Sequence, residues 1–412
     1  MIDLKKKFLI YGYGISGKSI AKYLKNRNSN YQIYDDNIIS LKSPKVIKKN
    51  LVIKNIKQFD YFVVSPSIKI DKNHFLFPYK NKIIIDLDFL SLELKQQIII
   101  GITGTEGKST TCQYLSQTLS RKYKNIIIGN FGNTILDKID INKYINTLDI
   151  VIIELSSYQL DKIKFLKLDH ALITNIYHDH IDYHKNFNNY VKTKFKIQSI
   201  LKNKGSFHIN HKDFISYQNL ININKFNIYK FKNKIIPNES FHNQLMQLNQ
   251  SAVNSVIKII DNSLNLKGVL FKNLPFRNQL IKNNKKLKIY NDSKCTNMEN
   301  AIMKNNLILS GNKILILGGK PKISHKNYII EKTLILIFGN YAYKISKNLV
   351  YKNSNYFIFN NLFDLLSFTK IIIQKFGYDT ILFSPGGESF DQFKSFNERG
   401  KHFNFLIKKF KF

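Results

Sequence analysis

Short apolar runs that end in glycine or a small polar residue recur along the whole chain of 412 residues. Phe8–Tyr11 runs into Gly12, Ile98–Ile100 runs into a glycine-rich turn, and Leu148–Ile153 stops at Glu154. Such runs predict buried strands, and the helical spacing of apolar residues between them predicts parallel sheets. The pattern restarts in three segments, so the predicted fold class is α/β with three domains over residues 1–92, 93–273 and 274–412.

The strongest chemical signal lies in the middle segment, at Gly101–Thr111, which reads Gly-Ile-Thr-Gly-Thr-Glu-Gly-Lys-Ser-Thr-Thr. A buried strand, a glycine-rich turn and a helix that opens with lysine form a loop whose backbone N–H groups and helix dipole surround phosphate. Lys108 would contact the outer phosphates, and the Ser109 hydroxyl would hold a magnesium ion. The strict pattern has glycine where Ile102 stands. This segment predicts a domain similar to phosphate-loop ATPases.

A carboxylate and a group of histidines follow the next two apolar runs. Glu154 stands at the end of a continuous apolar strand, where a phosphate-loop enzyme keeps its second magnesium contact. His178, His180 and His184 could bind zinc, but no further Cys or His pair nearby completes four ligands. The favoured interpretation is that His180 joins a magnesium or substrate site, while His178 and His184 lie at the surface.

The helix predicted around residues 189–200 places Tyr190, Lys194 and Ile197 on one face, with Lys192 and Lys196 facing solvent. Burial beside divalent cations disfavours an ammonium group, and a free amine can capture carbon dioxide as a carbamate that binds metal. Buried lysines more often extend their charge to the surface. Residues alone therefore leave the carbamate as the less common alternative at Lys194.

The first segment contains a second glycine-rich turn, Gly12-Tyr-Gly14-Ile-Ser-Gly17, with Asp35 about twenty residues further on. A turn of this kind between a strand and a helix is the dinucleotide-binding fingerprint and predicts a Rossmann-like domain. The same geometry serves any diphosphate, because glycine admits the ligand and the helix N-terminus attracts the anion. An NAD-dependent oxidoreductase is therefore an alternative.

Four further apolar runs in the last segment predict a second Rossmann-like sheet. Each run ends in small or basic residues, and the resulting edge carries Lys294, Lys320, Lys322 and Ser389. Several cations at the carboxyl edge of a parallel sheet suit a small dianion, although lysine scattered by composition is an equal alternative.

Composition changes the picture little. The formal charge is +36, but the lysines are spread among Ile and Asn along the whole chain, which argues against a specific nucleic-acid groove. The two cysteines, Cys112 and Cys295, are far apart and indicate a reducing compartment. No stretch has the roughly 18 apolar residues of a membrane span. We expect a cytoplasmic protein without membrane insertion, and a monomer.

Six motifs, taken in order, resemble the Mur ligase family across nearly the whole chain. They are Gly104–Thr110, Glu154–Leu160, Thr174-Asn with His180, Tyr190 with Lys194, Asn291–Asn297 and Ser384–Gly400. The stretches Asn291-Asp-Ser-Lys and Ser389-Phe-Asp-Gln-Phe resemble the branch of the family that adds D-glutamate. Another amino acid within the same family is the nearer alternative.

The resemblance implies four sets of site residues. The UDP-sugar would contact Gly12, Gly14, Ile15, Ser16, Gly17, Asp35, Ser65, Asn130 and Ser156. ATP would contact Gly104, Thr105, Glu106, Gly107, Lys108, Ser109, Thr110, Asn249, Arg277 and Asp292. D-Glutamate would contact Lys294, Thr296, Lys322, Ser389 and Phe396. Two Mg²⁺ ions would be held by Ser109 with Glu154 and by His180 with a carbamylated Lys194, and catalysis would depend on Lys108, Lys194, His180 and Glu154.

The implied reaction joins D-glutamate to UDP-N-acetylmuramoyl-L-alanine at the expense of ATP, through an acyl phosphate. Three departures from the family pattern stand out. Glu106 replaces a usual Asn in the phosphate loop, Ser67 replaces a usual Gly, and Phe276 precedes Arg277 where His is common. The His-Asn start of the helix near His242 is also displaced relative to Asn249.

Overall fold

The computed structural model describes residues 2–37, 45–130, 136–137, 145–232, 241–269, 271–284, 286–308, 311–322, 327–352 and 354–412, with only the backbone described at 241–246 and 248. The chain divides into two compact units. The first comprises Met1–His178, Tyr183–Asn233 and Asn249–Phe271. The second comprises Asp179–Asp182, Lys234–Leu248 and Lys272–Phe412.

The first unit begins with a four-stranded parallel sheet in the order β2-β1-β3-β4. Its strands are β1 (Lys7–Tyr11), β2 (Asn30–Tyr34), β3 (Tyr61–Val64) and β4 (Ile83–Ile84). Its α-helices are Ile15–Asn26, Lys49–Lys54 and Leu90–Glu93, and its 3₁₀ turns are Ile56–Gln58, Phe77–Lys82 and Asp86–Phe89. The first helix buries Ile20, Tyr23 and Leu24, which helical spacing places on one face.

A second sheet of the first unit has six parallel strands in the order β10-β9-β8-β5-β7-β6. They are β5 (Ile98–Thr103), β6 (Asn125–Gly129), β7 (Ile150–Glu154), β8 (Leu168–Ile173), β9 (Leu201–Asn210) and β10 (Asn227–Phe231). The strands that follow β5 in the chain lie on both sides of it, with β7 and β6 on one side and β8, β9 and β10 on the other. This arrangement opens a crevice at the carboxyl end of β5.

The helices of this part of the chain follow the strands at the same edge. They are Lys108–Leu119, Ser157–Leu160, Ile181–His184, Phe187–Phe195, His211–Ser216 and Phe241–Ile260, with 3₁₀ turns at Lys196–Ile200 and Gln218–Leu220. Lys108–Leu119 buries Cys112, Leu115 and Leu119. The strand β9 is ten residues long.

The second unit contains a six-stranded sheet in the order β11-β12-β18-β13-β15-β17, and the separate parallel pair β14-β16. Its strands are β11 (Gln279–Asn283), β12 (Lys288–Asn291), β13 (Lys313–Gly318), β14 (Tyr328–Glu331), β15 (Leu334–Phe338), β16 (Leu349–Lys352), β17 (Tyr356–Phe359) and β18 (Thr380–Gly386). Its helices are Met298–Asn306, Ala342–Lys347, Leu362–Phe376 and Phe396–Lys409, with a 3₁₀ turn at Ser389–Asp391.

The four strands predicted for the last segment are β12, β13, β15 and β18, and they pair in parallel. The edge strand β11 is antiparallel to β12, a feature that the apolar runs did not predict. Apolar clusters lie on both faces of the sheet, as the continuous apolar runs require. The expected α/β class is therefore confirmed. Among the residues that the structure describes, no helix is long and apolar enough to cross a bilayer.

Candidate active site

The central glycine-rich loop connects β5 to the helix Lys108–Leu119, with Gly107 at the helix N-terminus. Gly107 is left-handed (φ 77°), and a Cβ there would lie 2.4 Å from Asn249 Oδ1. Gly104 has φ 147°, and a Cβ there would lie 1.9 Å from Thr174 Oγ1. Only glycine fits both positions, because side chains rarely adopt these angles and the space is taken. Asn249 is thereby placed against the loop.

Thr174 and Asn175, at the end of β8, hold the loop in this shape. Thr174 Oγ1 and Asn175 Nδ2 donate to the carbonyl oxygen of Glu106 over 2.7 and 3.1 Å, and Asn175 Oδ1 accepts from the Glu106 N–H over 2.9 Å. The Thr105 N–H donates to the Asn175 carbonyl over 3.0 Å. The loop conformation is therefore set by the neighbouring strand, and it fixes the backbone of the unusual Glu106.

Two lysine ammonium groups meet at this loop. Lys108 Nζ donates to the carbonyl oxygens of Gly104 and Thr105 over 2.8 and 2.7 Å. Lys194 Nζ donates to the same Gly104 oxygen over 2.7 Å and lies 3.4 Å from Thr103 Oγ1. Lys194 is only 2% exposed, although it is 86 residues away in sequence. The structure thus brings together two of the four residues predicted to be catalytic.

Glu154 ends β7 and is paired with Ile102 of β5, one residue before the strand turns toward the loop. Its Oε1 lies 3.4 Å from Asn130 Nδ2, while Oε2 is buried and has no hydrogen-bond partner among the described residues. An orphaned carboxylate oxygen at the carboxyl edge beside a phosphate loop fits a hard cation such as Mg²⁺. Ser109, in the first turn of the helix Lys108–Leu119, is also buried.

Metal ligation by protein side chains alone is a separate question. Within the described part of the chain, no three His, Cys, Asp or Glu side chains are grouped so that they could hold a metal ion together.

His180 has a left-handed backbone (φ 51°), and its Nε2 lies 3.4 Å from Asp179 Oδ2. Asp179 Oδ1 also accepts a hydrogen bond from Lys322 Nζ. These three residues belong to the second unit, whereas Lys194 belongs to the first. The expected pairing of His180 with Lys194 stays a prediction. Asp179 was not predicted as a site residue, although it precedes His180 in the chain and contacts both His180 and Lys322.

The prediction that His184 lies at the surface is wrong. His184 is 6% exposed, its Nε2 lies 3.0 Å from Ser157 Oγ, and its ring packs beside Tyr158 and Tyr190. Burial lowers the pKa of His184 to about 4, so the ring is neutral. The short helix Ile181–His184 turns the side chain inward, which the spacing of three histidines did not reveal. His178 is exposed, as expected.

The first glycine-rich loop is also shaped by close contacts. Gly12 has φ 95°, and a Cβ there would lie 2.4 Å from Ser65 Oγ. A Cβ on Gly17 would lie 2.0 Å from the Gly12 carbonyl oxygen, whereas nothing lies within 4 Å of one on Gly14. Asp35 Oδ2 accepts the Tyr13 N–H over 2.6 Å. Gly14 stands at the N-terminus of the helix Ile15–Asn26.

A carboxyl group that the site prediction omitted lies next to this loop. Asp86 follows β4, is 5% exposed and accepts hydrogen bonds from the Leu87 N–H over 3.0 Å and from the Ser16 hydroxyl. Burial raises the pKa of Asp86 to about 6. Ile15, by contrast, is 77% exposed. The signal for Asp86 was its place at the end of an apolar run, shared with several other polar residues.

Ser156 and Asn130 are engaged with the β7 edge. The Ser156 side chain caps the helix Ser157–Leu160, because its Oγ accepts the Gln159 N–H over 3.2 Å. The Asn130 N–H donates to the Glu154 carbonyl over 3.0 Å. Both residues lie at the same sheet edge as Glu154, and their contact with a sugar nucleotide stays a prediction.

In the second unit the predicted residues cluster at the carboxyl ends of β12, β18 and β13, which are neighbours in the sheet. Lys294 Nζ lies 4.3 Å from the centre of the Phe396 ring, and the Ser293 hydroxyl donates to the Phe396 carbonyl over 2.9 Å. The backbones of Lys320 and Glu388 exchange two hydrogen bonds of 2.8 Å. That exchange brings the segments carrying Lys322 and Ser389 side by side, and the Gly386 N–H donates to Cys295, the residue before Thr296.

Asp292 is buried rather than open to a ligand. It is 2% exposed, and its Oδ2 accepts from Lys304 Nζ over 2.6 Å and from Ser384 Oγ over 2.9 Å. Its Oδ1 accepts the Asn278 N–H over 3.1 Å. Arg277, the residue before Asn278, is partly exposed. The contact with Lys304 was not predicted from the sequence.

These features define a class of α/β proteins. In this class a phosphate loop with two lysines follows a strand of the central sheet, and cationic residues cluster at the carboxyl edge of a third sheet. Comparisons with known proteins narrow the class. Residues 102–271 match the Mur ligase middle domain. The chain has the fold of the MurF ligase from Thermotoga maritima (TM-score 0.61, 14% identity, 99% and 100% of the two chains covered) and of a pseudomurein peptide ligase type C from Methanothermus fervidus (TM-score 0.55, 17% identity, 98% and 99% covered).

Relatives by sequence are more specific. The chain is 32% identical to the UDP-N-acetylmuramoylalanine–D-glutamate ligase of Buchnera aphidicola subsp. Acyrthosiphon pisum, with 98% of each chain covered. It is 29% identical to the enzyme of the same name from Petrotoga mobilis, with 98% of this chain and 100% of the relative covered. Among the Mur ligases, this chain belongs to the UDP-N-acetylmuramoylalanine–D-glutamate ligase family. Membership favours a ligase over the oxidoreductase alternative.

Proposed function

We propose that this protein is an ATP-dependent ligase that joins D-glutamate to UDP-N-acetylmuramoyl-L-alanine in the synthesis of a peptidoglycan precursor. The observation that carries the proposal, beside family membership, is the meeting of Lys108 and Lys194 at the Gly104 carbonyl oxygen of the phosphate loop. Lys108 supplies a cation that stabilises the charge of a transferring phosphoryl group, and the buried Lys194 beside it is in position to carry the carbamate described below. The protein works in the cytoplasm, as a monomer.

The reaction begins with ATP on the loop Gly104–Thr110. The backbone N–H groups at the start of the helix and its dipole bind the phosphates, and Lys108 moves from the loop carbonyls to the outer phosphate oxygens. The carboxylate of the alanine moiety attacks the γ-phosphorus, and ADP leaves. The acyl phosphate that results carries an activated carbonyl carbon.

The residues near the loop fit magnesium. Glu154, with its orphaned carboxylate oxygen, and the buried Ser109 would hold one ion, and a carbamylated Lys194 would contribute to holding the other. Magnesium, when bound, supplies positive charge that neutralises the transferring oxygens. A carbamate on Lys194 keeps one N–H, which preserves the hydrogen bond to the Gly104 carbonyl oxygen.

The second substrate is a free amino acid with two carboxylates. Lys294, Thr296, Lys322, Ser389 and Phe396 surround it, and the proposal is supported by the convergence of their segments at three neighbouring strand ends. Lysine ammonium groups recognise carboxylates by charge-assisted hydrogen bonds. The amine of D-glutamate attacks the acyl phosphate, and the tetrahedral intermediate expels phosphate to leave an amide.

The sugar nucleotide is held by the first loop and its neighbours. The helix N-terminus at Gly14 and Ile15 binds the diphosphate. The absence of side chains at Gly12 and Gly17 allows the loop to turn tightly in front of that terminus. Asp35, Ser65, Asn130 and Ser156 complete the contacts, at strand ends of the first unit.

Phosphate release tests the proposal. The purified protein is given ATP, Mg²⁺ and UDP-N-acetylmuramoyl-L-alanine, with and without D-glutamate, and the amide product is followed by mass spectrometry. We expect product only when D-glutamate is present. L-Lysine and L-alanine, offered in turn, separate this activity from that of a related ligase. Intact ATP under every condition would show that the protein is not a ligase of this class.

A further inference from the structure

Arg277 is flanked by two residues with unfavourable backbone angles. Phe276 has φ 59° and Asn278 has φ 47°, both in the left-handed region, which is costly for the bulky Phe276 and which asparagine adopts more readily. The side-chain oxygen of Asn278 is also buried with no hydrogen-bond partner among the described residues. A turn with these costs persists only where contacts from elsewhere hold it.

The stretch Asn291-Asp-Ser-Lys provides those contacts. Asp292 Oδ1 accepts the Asn278 N–H over 3.1 Å, and the Lys294 N–H donates to the Phe276 carbonyl over 3.0 Å. The Phe276 ring packs where Gly400 leaves room, since a Cβ on Gly400 would lie 2.5 Å from the ring. The turn is therefore held on both sides of Arg277.

The carboxylate of Asp292, which accepts the hydrogen bond from the turn, also has a second contact. Its other oxygen, Oδ2, forms an ion pair of 2.6 Å with Lys304 Nζ, and the two side chains are 2% and 9% exposed. Lys304 lies on the helix Met298–Asn306, and no family motif contains it. A carboxylate buried to this degree is strongly destabilised if its cation is removed, and it then turns toward water or takes up a proton.

We infer that Lys304 is a positioning residue for nucleotide binding: through Asp292 it holds the turn Phe276–Asn278 in the conformation in which Arg277 binds the nucleotide. The inference rests on the proposed function, in which Arg277 contacts ATP. It also gives Asp292 a task within the protein, because its two oxygens accept hydrogen bonds from Asn278, Lys304 and Ser384. Through these contacts Asp292 positions Arg277.

The test is K304M, which removes the charge and keeps an apolar side chain of similar length. Titration calorimetry measures a non-hydrolysable ATP analogue with Mg²⁺ and, separately, UDP-N-acetylmuramoyl-L-alanine. We expect ATP-analogue binding about tenfold weaker and sugar-nucleotide binding within about twofold of the unmodified protein. K304R should restore most of the loss, because it keeps the buried cation.

A matched control is K313M. Lys313 Nζ is also partly buried beside the same helix, but it donates to the carbonyl oxygens of Asn305 and Ile308 rather than to a carboxylate. K313M should leave both affinities unchanged. Equal loss in K313M and K304M would mean that general destabilisation, not Asp292, explains the result, and it would overturn the inference.

A rescue experiment separates positioning from folding. Glycine adopts left-handed angles readily, so N278G relieves part of the cost of the turn, and K304M/N278G should bind the ATP analogue more tightly than K304M. If K304M does not fold, K304Q replaces it in the same comparison. Unchanged ATP-analogue affinity in the Lys304 variant, or no gain from N278G, overturns the inference. An unmodified protein that binds no ATP analogue overturns the proposed function instead.

Discussion

The tripeptide Gly-Lys-Ser occurs twice, at Gly17–Ser19 and at Gly107–Ser109, each time after a buried parallel strand. In the first case the helix has already begun at Ile15, so Lys18 lies within the first turn with an exposed side chain. In the second case the helix begins at Lys108 itself, after a left-handed glycine. Relative to the first residue of its helix, the lysine of the tripeptide therefore lies three residues later in the first loop than in the second.

The two loops consequently differ in charge. Two carboxyl groups contact the first loop: Asp35 accepts a hydrogen bond from the Tyr13 N–H, and Asp86 accepts one from the Ser16 hydroxyl. Two ammonium groups meet at the second, through Lys108 and Lys194. A loop of the first kind offers backbone N–H groups for binding, whereas the second also offers the Lys108 cation for phosphoryl transfer. The predictions that follow test this difference.

The largest effect is expected from K108A. Loss of the ammonium group should lower kcat by about a thousandfold, because the transferring phosphoryl group loses a preorganised cation. Steady-state phosphate release measures it. The matched control is K18A, at the other Gly-Lys-Ser, which should retain activity within about twofold. A comparable loss in both variants would mean that the two loops are not different in function.

K194A should lower kcat by about a hundredfold, a smaller effect because Lys108 remains. If a carbamate on Lys194 binds metal, short carboxylic acids added to K194A should restore part of the activity. K192A, two residues earlier on the exposed face of the same helix, is the control and should be unaffected. Failure of every short carboxylic acid, together with no additional density on the Lys194 amine in bicarbonate-soaked crystals, would count against the carbamate.

Within the first loop, G17A and G14A should differ in stability. A Cβ on Gly17 would lie 2.0 Å from a backbone carbonyl oxygen, so we expect G17A to lower the free energy of unfolding by about 2–3 kcal/mol. G14A meets no atom within 4 Å and should change it by less than about 0.5 kcal/mol. Urea denaturation measures both. Equal stability of the two variants would show that the loop is not held as tightly as described.

Acid should weaken the central sheet. His208 on β9 is fully buried, and burial lowers its pKa to about 3. The unfolded chain takes up a proton near pH 6.5, so stability is lost as the pH falls below that value and levels off near pH 3. At pH 5 the loss is about 2 kcal/mol, and His184 adds to it in the same direction. Urea denaturation at pH 7.5, 6 and 5 should show this slope reduced in H208N.

The first sheet should respond in the opposite sense. Burial raises the pKa of Asp86 to about 6, above its unfolded value near 4. Its contribution is therefore fully present below about pH 4 and lost as the pH rises to about 6, a smaller effect than that of His208 because the shift is smaller. D86N should remove the loss of stability between about pH 4 and pH 6, as measured by urea denaturation. Sheets with the same pH response would contradict the contrast between the two loops.

Much of the fold was predictable because its signals are local. Apolar runs marked β1, β5, β7 and β8, and helical spacing marked the helix that carries Lys194. The antiparallel strand β11 was missed, since Gln279–Asn283 contains only two apolar residues and has no continuous apolar run. The inward turn of His184 was missed for a related reason: burial of a histidine depends on which side chains pack around it.

The α/β class, the two glycine-rich loops and the order of the family motifs were predictable from the amino-acid sequence, because periodicity, turn glycines and motif spacing are properties of neighbouring residues. Three features depend on the folded chain: Lys108 and Lys194 share one carbonyl oxygen, the second Gly-Lys-Ser begins a helix and the first does not, and Lys304 neutralises Asp292. Contacts of this kind join residues that strand order and helix register bring together, and no local pattern encodes those distances.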